Sequence, residues 1–157
     1  MVLIKNNRVF SYLAFALRVI LAAIFIFSGI SKLTDVLGFR WAVANLQLFS
    51  WTIAILFSYL IPLIEILLGV LLLIGLFKKF VTIHLGIFII ALGGISYFAW
   101  KYSQVRDCNC LGKIVNLQYG IPHIIFLAVL LALDILVFLD GQQIWSIDSF
   151  IRKRKNT

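Results

Sequence analysis

Four long apolar runs dominate the hydrophobic pattern of the chain. They cover about residues 9–30, 51–77, 80–100 and 121–139. About 20 apolar residues are enough for a helix to cross a bilayer, and backbone exposed to lipid must form its hydrogen bonds within its own segment. The runs do not alternate between apolar and polar positions as barrel strands do. The pattern therefore predicts an all-α membrane protein, a bundle of four transmembrane helices.

Two shorter segments have a mixed pattern. Residues 35–50 are too few and too polar to span a bilayer. Their apolar positions predict a helix that lies on, or dips into, the outer membrane surface. Residues 142–150 have the same character on the inner side. With no repeat and no second domain in the pattern, residues 1–157 are predicted to form a single membrane domain.

The composition excludes a soluble protein. Hydrophobic residues make up 63% of the chain and charged residues 13%, whereas a soluble domain is about half apolar and about a quarter charged. The formal net charge is +8. The basic residues lie mostly between and beyond the apolar runs, so they indicate membrane orientation. The lipid bilayer is the expected partner, and no nucleic acid is expected.

The basic residues divide unequally between the two sides of the predicted bundle. Eight fall on one side: Lys5, Arg8, Lys78, Lys79, Arg152, Lys153, Arg154 and Lys155. Five fall on the other: Lys32, Arg40, Lys101, Arg106 and Lys113. Because cytoplasmic loops carry the excess of Lys and Arg, both termini are predicted to be cytoplasmic, in a membrane of the bacterial inner type. The first run is interpreted as an uncleaved span.

Three ionisable residues fall inside the runs, namely Arg18, Glu65 and Asp134. Each is costly in lipid and should face the interior of the bundle. Counting residues from the inner boundary puts them at similar depths, which predicts a buried polar network with Arg18 between the two carboxylates. Such a network either fixes helix packing or forms a proton path or polar ligand site. Lys32 is expected at a wet boundary.

Small residues share a face with these charges. Gly29 follows Arg18 on one stripe of the first span, and Pro62 and Gly69 flank Glu65 on the second. Small residues let transmembrane helices approach closely. His123 lies eleven residues before Asp134, which is three turns along the same face of the fourth span. A packing role and a proton-transfer role both remain open for His123.

The only two cysteines, Cys108 and Cys110, lie in the predicted outer loop between the third and fourth spans. That side of the membrane is oxidising, and Arg106 and Lys113 favour thiolate over thiol. A disulfide across a single residue would be strained and easily reduced. The pair therefore predicts redox exchange, and an inert local disulfide or soft-metal binding remain as alternatives. No metal site is predicted, because two thiolates alone make an incomplete one.

The ordered set of these elements resembles the MauE/DoxX-like family of small membrane proteins. The matching elements are Arg18, then the segments 28–32 (Ser-Gly-Ile-Ser-Lys) and 62–65 (Pro-Leu-Ile-Glu) with Gly69, and finally 107–112 (Asp-Cys-Asn-Cys-Leu-Gly). The last element is similar to the Cys-x-Cys-Phe-Gly element of the MauE type, with Leu111 in place of Phe. Order and spacing agree over about residues 10–140.

The resemblance implies a four-helix bundle that works with a thioredoxin-like partner outside the cytoplasm. Cys108 and Cys110 would then exchange electrons with that partner, and an enzyme of this kind would be a thiol–disulfide oxidoreductase. Other four-helix membrane oxidants pass electrons to quinone through an additional cysteine pair, which this chain lacks. The sequence thus requires no cofactor, and quinone is compatible with it but indicated by no residue. The competing functions are a non-catalytic membrane subunit or chaperone and, less favoured, a metal or small-solute carrier.

Overall fold

The computed structural model describes residues 8–46, 48–102 and 120–139, and within these ranges the secondary structure is helical, without strands. The helices are α1 (Arg8–Thr34), α2 (Val36–Asn45), α3 (Trp51–Ile74), α4 (Lys78–Tyr102) and α5 (Ile121–Leu139). Four of them are long and apolar enough to cross a membrane, over Tyr12–Thr34, Trp51–Ile74, Lys79–Tyr102 and Ile121–Leu139. The predicted all-α architecture with four candidate transmembrane helices is confirmed.

The connection between α3 and α4 is longer by one residue and lies earlier than the apolar pattern predicts. It covers residues 75–77, whereas the apolar runs leave residues 78–79 between them. The helix α3 ends at Ile74 because Gly75 adopts a left-handed conformation with φ 72°. The Gly75 N–H donates back to the carbonyls of Leu71 and Leu72, at 3.0 and 3.1 Å. Glycine adopts this conformation without a Cβ penalty. Because the residues on both sides of the turn are apolar, the hydrophobic pattern alone does not predict it.

The bundle consists of two closely packed helix pairs, α1 with α3 and α4 with α5. Glycines set the first contact. A Cβ at Gly29 would lie 2.7 Å from the Pro62 carbonyl oxygen, and a Cβ at Gly69 would lie 3.1 Å from the Ala22 carbonyl oxygen. The pairing of early with late positions shows that α1 and α3 are antiparallel. The expectation that small residues line this interface is confirmed.

The two pairs meet through α1 with α5 and through α3 with α4, and both contacts are sparse compared with those within each pair. Because neighbouring helices run antiparallel, α1 and α4 end where α3 and α5 begin. We call this side of the bundle the loop end. The short helix α2 covers α3 there, with Phe39 and Val43 packed against Ala54. The carboxylate of Asp35 caps α2 by accepting a 3.4 Å hydrogen bond from the Gly38 N–H.

The helix predicted within residues 35–50 is therefore α2, and it is packed on the bundle. The segment predicted at residues 142–150 lies outside the described residues. The outer surfaces of the long helices carry many exposed aliphatic side chains, among them Leu63, Ile87 and Ile90. Such a surface suits lipid rather than water. The chain is a multi-pass membrane protein with four candidate spans.

Candidate functional site

A salt bridge is buried between α1 and α3, toward the loop end of the bundle. The Lys32 Nζ lies 2.7 Å from Oε1 and 2.6 Å from Oε2 of Glu65. The side chains of the two residues are 3% and 2% exposed. Breaking a buried pair of this kind leaves one charge uncompensated, so the two residues depend on each other.

Ser28 completes this cluster. Its hydroxyl donates to Glu65 Oε2 at 3.1 Å and accepts from Lys32 Nζ at 2.6 Å. Ser28 and Lys32 are four residues apart, so they lie on the same face of α1. Gly29 beside them brings the helices together, because a Cβ there would lie 3.3 Å from the Glu65 Cβ. The cluster of Ser28, Lys32 and Glu65 thus arises from two positions one turn apart on α1 and one residue of α3, held close by Gly29.

The position of Lys32 corrects the sequence prediction. The sequence predicts Arg18 opposite Glu65 and Lys32 at a wet boundary, but in the structure the cation opposite Glu65 is Lys32. The register of the helices explains the difference. Gly29 packs beside Glu65, and Arg18 lies eleven residues before Gly29, roughly 16 Å along the helix. The sequence prediction assumed that the start of α1 and the end of α3 lie at the same depth in the membrane. In the structure they do not.

Arg18 and Asp134 are both buried, as the sequence predicts. The Arg18 guanidinium lies over the ring of Phe15, with Cζ 4.9 Å from its centroid. Asp134 packs against α4, with Oδ2 3.2 Å from the place where a Cβ at Gly86 would lie. Its Oδ1 accepts no hydrogen bond from the residues that the structure describes. The predicted three-residue network is therefore not assembled around Glu65.

His123 lies at the loop end, two residues after α5 begins. It is 2% exposed and shares the buried face of α5 with Leu127, Leu130 and Asp134, which agrees with the face predicted from spacing. The other histidine, His84, is exposed, and its Nδ1 lies 2.9 Å from the Phe80 carbonyl oxygen.

A cavity of about 310 Å³ connects the Ser28–Lys32–Glu65 cluster to His123. All five helices contribute to its wall, which is mostly apolar and rich in phenylalanine. The hydroxyl of Ser96 also borders it, although that hydroxyl donates to the Leu92 carbonyl within α4 at 2.7 Å. A largely apolar cavity with a few convergent polar groups is the usual form of a small-molecule site. The charges of Lys32 and Glu65 cancel, so this wall favours an uncharged occupant.

Cys108 and Cys110 lie outside the described residues. The segment that contains them joins two ends that are close together. Gly120, just before α5, has φ +145°, and a Cβ there would lie 3.6 Å from the Trp100 ring near the end of α4. Because this φ favours glycine, Gly120 lets the chain turn into α5 directly beside α4. The cysteine segment therefore leaves and re-enters the bundle at the loop end, where His123 and the cavity lie.

Sequence reasoning missed Lys32, Ser28 and the cavity as parts of a site. The sequence contained one indication of the cluster, because the segment 28–32 places a hydroxyl and a cation one helical turn apart beside a glycine. A cavity between helices has no comparable signal, because its walls come from positions scattered over the whole chain.

The fold and the site together define a small multi-pass membrane protein with a buried ion pair and an apolar cavity at the end of the bundle that bears its cysteine segment. A family model described as methylamine utilisation protein MauE matches residues 10–140, and the chain belongs to that family. The MauE part of the resemblance is thus confirmed. No curated protein and no solved structure matches the chain significantly.

Proposed function

We propose that this protein is a membrane-embedded thiol–disulfide redox protein. It exchanges electrons with a thioredoxin-like or other thiol protein outside the cytoplasm, through Cys108 and Cys110. The observation that supports the proposal is the adjacency of the two helix ends that the cysteine segment connects. The segment joins the adjacent ends of α4 and α5 at Trp100 and Gly120, on the side of the bundle where His123 and the buried ion pair border the cavity.

The exchange proceeds through a mixed disulfide. A thiolate of the partner attacks the Cys108–Cys110 disulfide, one sulfur bonds to the partner, and the other sulfur leaves as a thiolate. The second thiolate of the partner then displaces the bound cysteine. The partner ends as a disulfide and the Cys108–Cys110 pair as a dithiol, so two electrons have moved and no other reactant is consumed.

The two cysteines have different roles in this proposal. Cys110 is nearer in sequence to α5 and His123, so it serves as the internal, resolving thiol. Cys108 lies further from α5 and meets the partner. His123 borders the cavity and transfers protons there, since imidazole exchanges protons near neutral pH.

The test is trapping in intact cells with the full-length protein. The thiols are quenched with acid and alkylated, and the adducts are separated without reductant. In Cys110→Ser, the Cys108 thiolate can attack the disulfide of an oxidised thioredoxin-like protein, which is the first step of the exchange in reverse, and no second thiol of this chain resolves the bond. This variant should therefore accumulate a reductant-sensitive adduct through Cys108, and Cys108→Ser should not. The matched control is the double variant, which should form no adduct. If neither single variant forms an adduct although both reach the membrane in normal amounts, the exchange proposal is wrong and the subunit or chaperone function takes its place.

Orientation is part of the same proposal. Five basic residues on the cysteine side against eight on the other favour cytoplasmic termini. A membrane-impermeant maleimide should therefore label the reduced cysteines in spheroplasts. Labelling that requires broken membranes would place the cysteines in the cytoplasm and contradict the proposed partner.

A further inference from the structure

The cavity beside the buried ion pair opens toward the lipid. Leu60 on α3 and Ala91 on α4 border it, and both are also exposed on the outer surface of the bundle. Between these two helices the packing is sparse. An occupant can therefore enter sideways from the bilayer, and a membrane-soluble molecule fits this entrance.

The wall of the cavity favours a flat, uncharged ring. Six phenylalanines contribute to it: Phe25, Phe39, Phe49, Phe57, Phe88 and Phe126. Aromatic side chains pack well against another ring, in stacked or edge-on arrangements. The volume of about 310 Å³ is near the lower end of the range of about 300–1,000 Å³ for ligand sites. It suits a substituted ring whose apolar tail remains between α3 and α4.

The polar groups suit an occupant that carries oxygen atoms. A carboxylate has about four lone-pair sites, and Glu65 uses three of them, two for Lys32 and one for Ser28. One site remains, and it can accept a hydrogen bond from an O–H group such as that of a hydroquinone. The His123 ring borders the same cavity from α5. Glu65 and His123 are both groups that can pass protons.

From this geometry we propose that the cavity is a quinone site and that the quinone accepts the electrons collected by Cys108 and Cys110. The acceptor role depends on the function proposed above, whereas quinone binding does not. In the net step the dithiol loses two hydrogen atoms and forms an S–S bond. The two carbonyl oxygens of the quinone gain two electrons and two protons, which yields a hydroquinone. The chain contains no cysteines besides this pair, so no second pair in the chain can relay the electrons, and the proposed transfer to the quinone is direct.

Binding is tested first, with purified full-length protein in nanodiscs and ubiquinone-1 as the probe. Ile95 borders the cavity from α4, and the variant Ile95→Trp fills part of it. The matched control is Ile90→Trp on the same helix, because Ile90 is 62% exposed and lies outside the cavity. Ile95→Trp should weaken binding about tenfold or more, since it removes the space for the ring, and Ile90→Trp should bind like the unaltered protein.

The same titration separates binding from thiol chemistry. The double variant Cys108→Ser/Cys110→Ser should bind ubiquinone-1 with unchanged affinity, because neither sulfur is needed to hold the ring. If ubiquinone-1 does not bind, or if Ile95→Trp and Ile90→Trp bind it equally, the quinone site is refuted. That result would leave the exchange with the thiol partner standing.

The acceptor role is tested by reduction of the protein under anaerobic conditions, removal of the reductant and addition of ubiquinone-1. Two thiols should disappear for each hydroquinone formed, and the double cysteine variant should form none. Binding without loss of thiols would overturn the acceptor role. Glu65→Gln provides a second comparison wherever it folds, and it should slow hydroquinone formation more than Ile90→Trp does.

Discussion

Removing the Lys32 ammonium should cost this protein more stability than removing any exposed charge. The variant Lys32→Met keeps the length of the side chain but leaves Glu65 with Ser28 alone. Lys32 supplies two hydrogen bonds to Glu65, at 2.6 and 2.7 Å, and both side chains are almost fully buried. Loss of one partner from a buried pair typically costs about 3–5 kcal/mol. The matched control Lys101→Met removes an exposed cation near the same end of the bundle, and should cost at most about 1 kcal/mol.

The interaction is isolated by a double-mutant cycle. Lys32→Met and Glu65→Gln should each destabilise the fold, but the combined variant should cost much less than their sum, because it leaves no buried charge. Reversible unfolding in mixed micelles of dodecyl sulfate and a mild detergent gives the free energies. If Lys32→Met costs no more than Lys101→Met, the ammonium reaches the membrane surface and the buried pair described here is wrong.

Three further predictions follow from packing and burial. Gly29→Ala should destabilise the fold by about 1–3 kcal/mol, because the new Cβ would lie 2.6 Å from Ile66 Cγ1. The control Gly94→Ala places a Cβ with nothing within 4 Å, so it should be neutral or slightly stabilising in the same unfolding assay. Equal effects of the two variants would refute the close contact at Gly29. Asp134→Asn should be tolerated, because no described residue donates to Oδ1; a loss as large as that of Glu65→Gln would reveal a charge partner for Asp134. Gly120→Ala should lower the melting temperature measured by size exclusion after heating, since φ +145° strains any side chain there; an unchanged melting temperature would show that the turn into α5 adapts.

Hydrophobic runs predicted the long helices well, because a span needs a certain number of apolar residues whatever it packs against. The ends of the helices were less predictable. The residues beyond Ile74 are still apolar, and only the left-handed conformation of Gly75 ends α3. The stripes through Gly29 and Gly69 were visible in the sequence, since helical spacing fixes which residues share a face.

The pairing of charges could not be obtained in this way. It depends on how far α1 is shifted along α3, and the contact of Gly29 with Pro62 sets that shift. Lys32 lies close to the end of its apolar run, where a lysine ordinarily extends to water, so its burial had no signal in α1 alone. The cavity is even harder to predict from the sequence than the charge pairing, because it depends on the spacing between helices that make few contacts.

The salt bridge between α1 and α3 also bears on how the chain enters a membrane during synthesis. Lys32 and Glu65 are 33 positions apart, so Lys32 leaves the ribosome before its counter-charge does. A lysine two residues from the end of a helix can hold its ammonium among the lipid head groups while it waits, and this is where Lys32 lies in α1. Glu65 lies in the middle of α3 and cannot reach the lipid head groups in this way. The carboxylate therefore enters the bilayer at lowest cost when α3 inserts next to α1, which is already there. The glycines on the facing sides of the two helices allow this close approach.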